Sequence, residues 1–167
     1  FAAAACGVAG PVVFQVLTSS PTFTEQLVIN EIPGMSATNT ITVKGNFNTL
    51  SFAATDPNLR HTLHINGADN LRFEDLTIEA VGAASGWAVR MSNNANFNTF
   101  KRCVFRASET ATLSTYAAFA LTQSPTAVTC AQNGTASNLL IDSCQITGGY
   151  YGLCLGGNGL TMGVRPS

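Results

Sequence analysis

The chain has 167 residues and a mass of 17.4 kDa, the size of one ordinary domain. Hydrophobic residues make up 46% of it and charged residues only 10%, which excludes a disordered chain and a long-helix protein. A formal net charge of −1 excludes a strongly basic nucleic-acid surface, so the 14 Asn, 12 Ser and 20 Thr must supply most of the polar surface.

The first residues resemble the end of an α-helix. Phe1 and four alanines precede Cys6 and Gly7, a pattern that predicts the last turn of an alanine-rich helix with a glycine C-cap. We assign residues 1–9 to a remnant of an N-terminal cap and residues 10–167 to a single domain. Because the chain begins inside an element, we expect it to be a fragment of a longer protein. No window of about 20 residues is continuously apolar, so we expect no membrane span.

Pairs of apolar residues separated by one position recur along the rest of the chain, and they predict short β-strands. Eleven such pairs occur: Phe14/Val16, Leu27/Ile29, Ile41/Val43, Leu50/Phe52, Leu63/Ile65, Leu76/Ile78, Val89/Met91, Cys103/Phe105, Phe119/Leu121, Cys144/Ile146 and Leu153/Leu155. Turn-forming residues such as those at 66–70 and 92–96 lie between them. No helical pattern intervenes.

Every second pair predicts one turn of a repeating structure. A six-residue pattern, apolar at its first, fourth and sixth places, also recurs at residues 73–78, 100–105 and 141–146. An antiparallel sandwich gives no reason for such a repeat, so we predict an all-β solenoid of about five to six coils. Two inward columns follow: Phe14, Ile41, Leu63, Val89, Phe119 and Leu153, and beside it Val16, Val43, Ile65, Met91, Leu121 and Leu155.

The segments NLRFEDLTI at 70–78 and NLLIDSCQI at 138–146 resemble the repeats of right-handed parallel β-helix proteins, the pectin-lyase-like superfamily. GPVVF at 10–14 and TEQLVI at 24–29 are similar to secreted and surface β-helix proteins of Bacteroidetes-type bacteria. The resemblance implies a right-handed parallel β-helix, often capped by an N-terminal helix, and an extracellular or cell-surface location. The superfamily includes lyases, hydrolases, esterases and adhesins, so the resemblance implies a fold more than a function.

Charged residues 27 positions apart are expected to lie opposite each other on neighbouring coils. The predicted ladder pairs Asp75 with Arg102, Glu79 with Arg106, and Glu74 with Lys101. Opposite charges across strands stabilise a sheet modestly. The ladder either fixes the register of the coils or forms a groove for a substrate.

A candidate ligand site lies on the predicted outward face of the Leu63 sheet. One outward column contains Thr42, His64, Arg90, Ala120 and Cys154, and the next contains Lys44, Asn66, Ser92 and Thr122. His64 beside Arg90 could bind an anionic sugar, or it could be a general base with its pKa lowered by the cation. Trp87, stacked with His61 and Tyr151, is either an exposed platform for a sugar ring or a corner-filling aromatic. The candidate ligand-binding residues are His64, Arg90, Lys44 and Trp87.

Five cysteines are an odd number, so at least one is unpaired within the chain. Cys103 and Cys144 occupy equivalent inward places and are either stacked thiols or a disulfide. Cys130 and Cys154 can pair if the polar loop around Cys130 folds back.

The nine carboxylates form no column in this register, so no calcium cluster or catalytic acid pair is expected. No phosphate loop, zinc spacing or nucleophile elbow occurs, and we expect no catalytic residue, metal or other cofactor. The sequence favours a non-catalytic secreted or cell-surface module acting in adhesion, in glycan binding, or as a structural spacer or assembly element. The alternative is the β-helix portion of a polysaccharide-degrading enzyme, a lyase or glycoside hydrolase. Expected partners are a glycan or other protein subunits, associated end to end or side by side.

Overall fold

A computed structural model of the chain describes residues 6–18, 21–126 and 134–156. Within these ranges the strands are β1 (Val12–Gln15), β2 (Thr22–Thr24), β3 (Leu27–Asn30), β4 (Ile41–Phe52), β5 (His61–Asn66), β6 (Leu71–Ala80), β7 (Gly86–Ser92), β8 (Thr99–Lys101), β9 (Val104–Arg106), β10 (Tyr116–Leu121), β11 (Leu140–Asp142), β12 (Gln145–Thr147) and β13 (Tyr151–Leu155). The fold is therefore all-β, as the apolar alternation predicts.

The strands form two sheets, and every strand pair is parallel. The β4 sheet has the order β1-β4-β6-β8-β11, with β2 on β4 and with β9 between β6 and β12. The β5 sheet has the order β3-β5-β7-β10-β13. The chain alternates between the two sheets from β3 onward, so each strand pairs with one that is a whole repeat away in sequence.

The predicted register is confirmed in the β5 sheet. Leu63 pairs with Val89, and Val89 with Phe119, which in turn lies opposite Leu153. The neighbouring inward column, Ile65, Met91, Leu121 and Leu155, is confirmed by the same pairings. Side chains one repeat apart therefore stack, and Leu63, Val89 and Phe119 are buried at the centre of the sheet.

Toward the N-terminus the predicted membership of these two columns is wrong. Phe14 and Val43 pair with each other in the β4 sheet, where Val43 also pairs with Phe73. Ile41 lies in that sheet too, and the amide of Val16 bonds to the carbonyl of Lys44. Leu27 and Ile29 instead lie opposite Leu63 and Ile65. The prediction fails here because the single strand β4 contains two apolar pairs. The two sheets therefore do not alternate with every pair in this part of the chain, and the first coils fall in the other sheet.

A left-handed residue explains the apolar pattern of the six-residue repeat. Asp75, Arg102 and Ser143 have φ angles of 53°, 52° and 54°. One such residue resets the alternation of a strand, so that Phe73 and Leu76, three positions apart, both join the core. The apolar residues at the first, fourth and sixth places of the repeat thus reflect a bend of the backbone at the left-handed third residue.

The interior is centred on four phenylalanines from three repeats. Phe73 and Phe100 stack with centroids 5.1 Å apart, and Phe100 meets Phe105 edge-on at 5.2 Å. Phe119 crosses from the β5 sheet and lies 5.6 Å from Phe100 and 5.3 Å from Phe105. These contacts join the two sheets into one core.

The cysteines divide into free and bonded groups. Cys103 and Cys144 are free, and the Cys103 amide lies 3.3 Å from the Cys144 sulfur. The hydrogen bond with Cys144, together with burial, raises the pKa of the Cys103 thiol. Stacked thiols are thus confirmed here, while Cys154 is a disulfide cysteine. Its predicted partner, Cys130, lies outside the described residues, as do residues 1–5 of the expected helical remnant.

Candidate functional site

Five basic or aromatic side chains meet on the outer side of the β5 sheet. We call this group the β5-face cluster: Arg60, His61, His64, Trp87 and Arg90. Strand pairing aligns His61 with Trp87 and His64 with Arg90, as predicted. The two imidazole rings lie 4.9 Å apart. The guanidinium carbons of Arg60 and Arg90 lie 5.9 Å and 6.0 Å from the centre of the Trp87 ring, within the range of cation–π attraction.

Four members of the β5-face cluster are buried, and Arg60 is half-buried. Trp87 is 0% exposed and His61 1%, so Trp87 offers no platform for a sugar ring and fills space against Ala117, Ala120 and Cys154.

Residues 122–126, which follow β10, lie over this cluster. The Arg90 guanidinium donates hydrogen bonds to the carbonyls of Gln123 at 2.9 Å and Thr122 at 3.5 Å. Arg60 donates to the carbonyl of Thr126. The two arginines therefore hold the covering segment down on the cluster.

Both histidines are neutral at physiological pH. Burial, followed by the Arg90 charge, lowers the pKa of His64 to about 3 and that of His61 to about 4. The Arg90 charge lowers the pKa of both histidines, as expected, but burial away from solvent lowers it more. His64 Nε2 also lies 2.8 Å from the Ser92 hydroxyl. A base with a pKa this far below neutral is poorly matched to proton transfer near pH 7.

Several polar atoms of the cluster are buried without a hydrogen-bond partner among the described residues. They are both ring nitrogens of His61, Nε1 of Trp87 and Nε of Arg60. Each such atom costs about 1–3 kcal/mol. The hydrogen bonds from the two arginines to the covering segment offset part of this penalty, which makes these arginines stabilising groups.

Lys44 does not belong to the candidate site. It lies in the β4 sheet opposite Glu74, because β4 is the strand that was assigned to the wrong sheet. Thr42 is displaced for the same reason, and Val28 takes its place beside His64. Lys44 instead begins an alternating charge column that continues through Glu74, Lys101 and Asp142.

The predicted charge ladder lies in register on the β4 sheet. Arg102 contacts Asp75 through two hydrogen bonds, Nε to Oδ1 at 2.6 Å and Nη2 to Oδ2 at 2.8 Å. Arg106 Nη1 lies 3.5 Å from Glu79 Oε1. The Arg102 hydrogen bond lowers the pKa of the Asp75 carboxyl. These carboxylates are occupied by neighbouring strands, which favours the register-fixing interpretation over a substrate groove.

One further polar surface is formed by turns between the two sheets, which the sequence marks only as turn-forming residues. We call it the amide corner: residues 66–70, 93–98 and 135–138, which connect the β5 sheet to the β4 sheet. The Asn66 amide donates to Asn30 Oδ1 at 2.8 Å, and Asn93 donates to Asn66 Oδ1 at 2.5 Å. Phe97 stands in this corner and is 52% exposed. The recurring sequence Asn-Phe-Asn-Thr, at 46–49 and 96–99, could have drawn attention to it.

Arg90→Met is expected to lower the free energy of unfolding by about 2–3 kcal/mol, because methionine keeps the packing but loses the charged donors to Thr122 and Gln123. It should also raise the pKa of His64, which the Arg90 charge lowers. Denaturant unfolding and NMR titration measure the two effects. Arg72→Met is the control, since Arg72 is exposed and makes no ion pair with a described residue. Equal losses in both variants would contradict the stabilising role of Arg90.

Among the described residues no three His, Cys, Asp or Glu side chains converge as a metal site would require. The described part of the chain also contains no helix with the length and hydropathy needed to cross a bilayer. No protein-family model, curated protein or solved structure matches this chain.

Proposed function

We propose that the chain is a non-catalytic module of an extracellular or cell-surface protein, folded as a right-handed parallel β-helix, that adheres to glycans. The fold proposal is supported by the alternation of the chain between two parallel sheets. It is also supported by the alignment of the six-residue repeats: Phe73, Phe100 and Ile141 pair in turn, as do Ile78, Phe105 and Ile146. In a solenoid each repeat contacts only its neighbours, as these pairings do.

The burial of the β5-face cluster is the observation that carries the non-catalytic assignment. General acid–base catalysis needs a titrating group within hydrogen-bond reach of the substrate. His64 and His61 lie beneath residues 122–126 and stay neutral over the physiological range. They are therefore not presented to a polysaccharide.

The enzymatic alternative would need a pair of carboxylates facing a sugar chain. Asp75 and Glu79 both lie on β6, and both contact arginines of the next repeat. Asp142 pairs in register with Lys101. Each of these three carboxylates thus lies opposite a cation of a neighbouring repeat.

Neutral hydrogen-bonding groups remain to contact a ligand. Amides and hydroxyls match the hydroxyl groups of a sugar, because each can both donate and accept. They are concentrated in the amide corner, where residues 93–98 and 135–138 carry no charge and Asp69 is the charged residue. A surface of this kind suits many weak contacts with a neutral polysaccharide.

Binding to immobilised neutral and acidic glycans, with product analysis of the same polysaccharides in solution, tests the proposal. We expect retention on neutral glycans that persists at 0.5 M salt, since hydrogen bonds of neutral groups are little screened. No new reducing ends or unsaturated sugars should appear. Retention limited to acidic glycans at low salt, or release of products, would contradict it.

A further inference from the structure

Phe97 occupies a backbone conformation that a phenylalanine rarely adopts. Its φ angle is 55°, in the left-handed region, where a bulky side chain is an outlier. Such a conformation costs about 1–3 kcal/mol. Since the side chain is 52% exposed, burial in the core offsets little of this cost. Neither conformation nor packing accounts for a phenylalanine here.

The equivalent positions in the neighbouring repeats carry asparagine. The backbone N–H of Asn70 donates to the backbone carbonyl of Asn96, and the backbone N–H of Phe97 donates to that of Ser137. These bonds place Asn70, Phe97 and Asn138 in one column. Asn70 and Asn138 are also left-handed, with φ angles of 56° and 54°. Asparagine tolerates this region well. Phe97 therefore stands where asparagine would cost less.

The two flanking asparagines present free amide groups. Their side chains make no hydrogen bond with any described residue. Asn138 is exposed and Asn70 is half-buried. Neighbouring parallel strands are about 4.8 Å apart, so the backbone of one asparagine lies about that far from the backbone of Phe97 on either side. Phe97 is thus flanked in its column by two asparagines whose side chains have no hydrogen-bond partner among the described residues.

The rest of the amide corner holds this arrangement in place. Asn96 Oδ1 accepts hydrogen bonds from the Ser137 amide at 2.8 Å and hydroxyl at 2.9 Å. Asp69 Oδ1 accepts a hydrogen bond from the backbone amide of Asn96 at 2.6 Å. A preorganised site of this kind loses less conformational entropy when a ligand binds.

We propose that Phe97, Asn70 and Asn138 form a binding site for a neutral pyranose ring of a glycan. The apolar C–H face of the sugar packs on the exposed Phe97 ring, and two of its hydroxyls bond to the flanking amides. Residues 93–98 and 134–139 carry no charge and the charged residue of the amide corner, Asp69, is acidic, so a neutral sugar is favoured over a uronic acid. This inference rests on the glycan-binding function proposed above and assigns it to one site.

Phe97→Asn tests the site, with Phe47→Asn as the matched control. Phe47 is also left-handed, with φ 61°, and is 74% exposed, but it lies at the bulge of β4 opposite the charged residue Asp75. Both substitutions place asparagine in a left-handed position, so both variants should be at least as stable as the wild type. We expect Phe97→Asn to weaken retention on the neutral glycan at least tenfold and Phe47→Asn to leave it unchanged. Asn138→Ala should weaken it several-fold.

The outcomes separate the two proposals. If the wild type is retained and Phe97→Asn binds equally well, the site is wrong while the glycan-binding function stands. If the wild type is retained on no glycan in the panel, the proposed function fails and the site fails with it. A loss of stability in Phe97→Asn but not in Phe47→Asn would make Phe97 a structural residue and would also overturn the site. Binding to a protein partner that depends on Phe97, in the absence of any binding to sugars, would also overturn the site.

Discussion

Phe119→Ala is expected to lower the free energy of unfolding by about 4 kcal/mol. Phe119 is 0% exposed and meets Phe100 and Phe105 edge-on, so truncation removes the aromatic contact between the two sheets and leaves a cavity. Stabilities of single domains are about 5–15 kcal/mol, so the variant should keep only part of its margin. Equilibrium unfolding in guanidinium chloride, followed by circular dichroism, measures the loss.

Leu113→Ala serves as the control for this prediction. Leu113 lies between β9 and β10 and is 57% exposed, so its truncation should change the free energy of unfolding by less than about 0.5 kcal/mol. If the repeats are stacked as proposed, Phe119→Ala should also raise the susceptibility of neighbouring repeats to proteolysis. A loss below about 1 kcal/mol, or cleavage confined to β10, would contradict the packing described above.

Acidification from about pH 8 to about pH 5 is expected to destabilise the protein by about 2 kcal/mol for each histidine of the β5-face cluster. In the unfolded chain these histidines bind protons near their ordinary pKa of 6.5, whereas in the folded protein His61 does so only at about 4 and His64 at about 3. The unfolded state thus binds more protons between pH 6.5 and these lower values. The stability contributed by the neutral histidines is complete above pH 6.5 and is lost as the pH falls below it.

The double variant His61→Gln/His64→Gln isolates this effect. Glutamine keeps hydrogen-bonding groups but does not titrate, so the loss of stability between about pH 8 and about pH 5 should shrink by about 4 kcal/mol relative to the wild type. Thermal unfolding at each pH provides the comparison, and each protein is referred to its own value at pH 8. An unchanged pH dependence in the double variant would show that carboxylates, not the buried histidines, govern acid stability.

The register of the repeats could be predicted because strand pairing has a regular period. Once one repeat is aligned, the pairing of Leu63 with Val89 also aligns His64 with Arg90, and a 27-residue step aligns Asp75 with Arg102. These relations depend only on spacing along the chain. The apolar alternation supplies that spacing directly.

The placement of Lys44 and the covering of Trp87 could not be predicted in this way. Lys44 was misplaced because the 12-residue strand β4 bends at a bulge and stays in one sheet, a local event that apolar pairs do not record. The sequence left open whether Trp87 is an exposed platform or a buried aromatic, because its burial depends on where residues 122–126 lie. Backbone carbonyls that bind Arg60 and Arg90 carry no sequence signature.

The amino-acid order by itself determined the all-β class, the in-register columns of the β5 sheet and the charge ladder, since each depends on a periodic pattern of side chains. Only the tertiary structure decided which surfaces are open. A buried Trp87 and an exposed, left-handed Phe97 are both aromatic residues beside polar turns in the sequence. What distinguishes them is contact with segments distant along the chain, and such contacts arise only after the sheets have assembled.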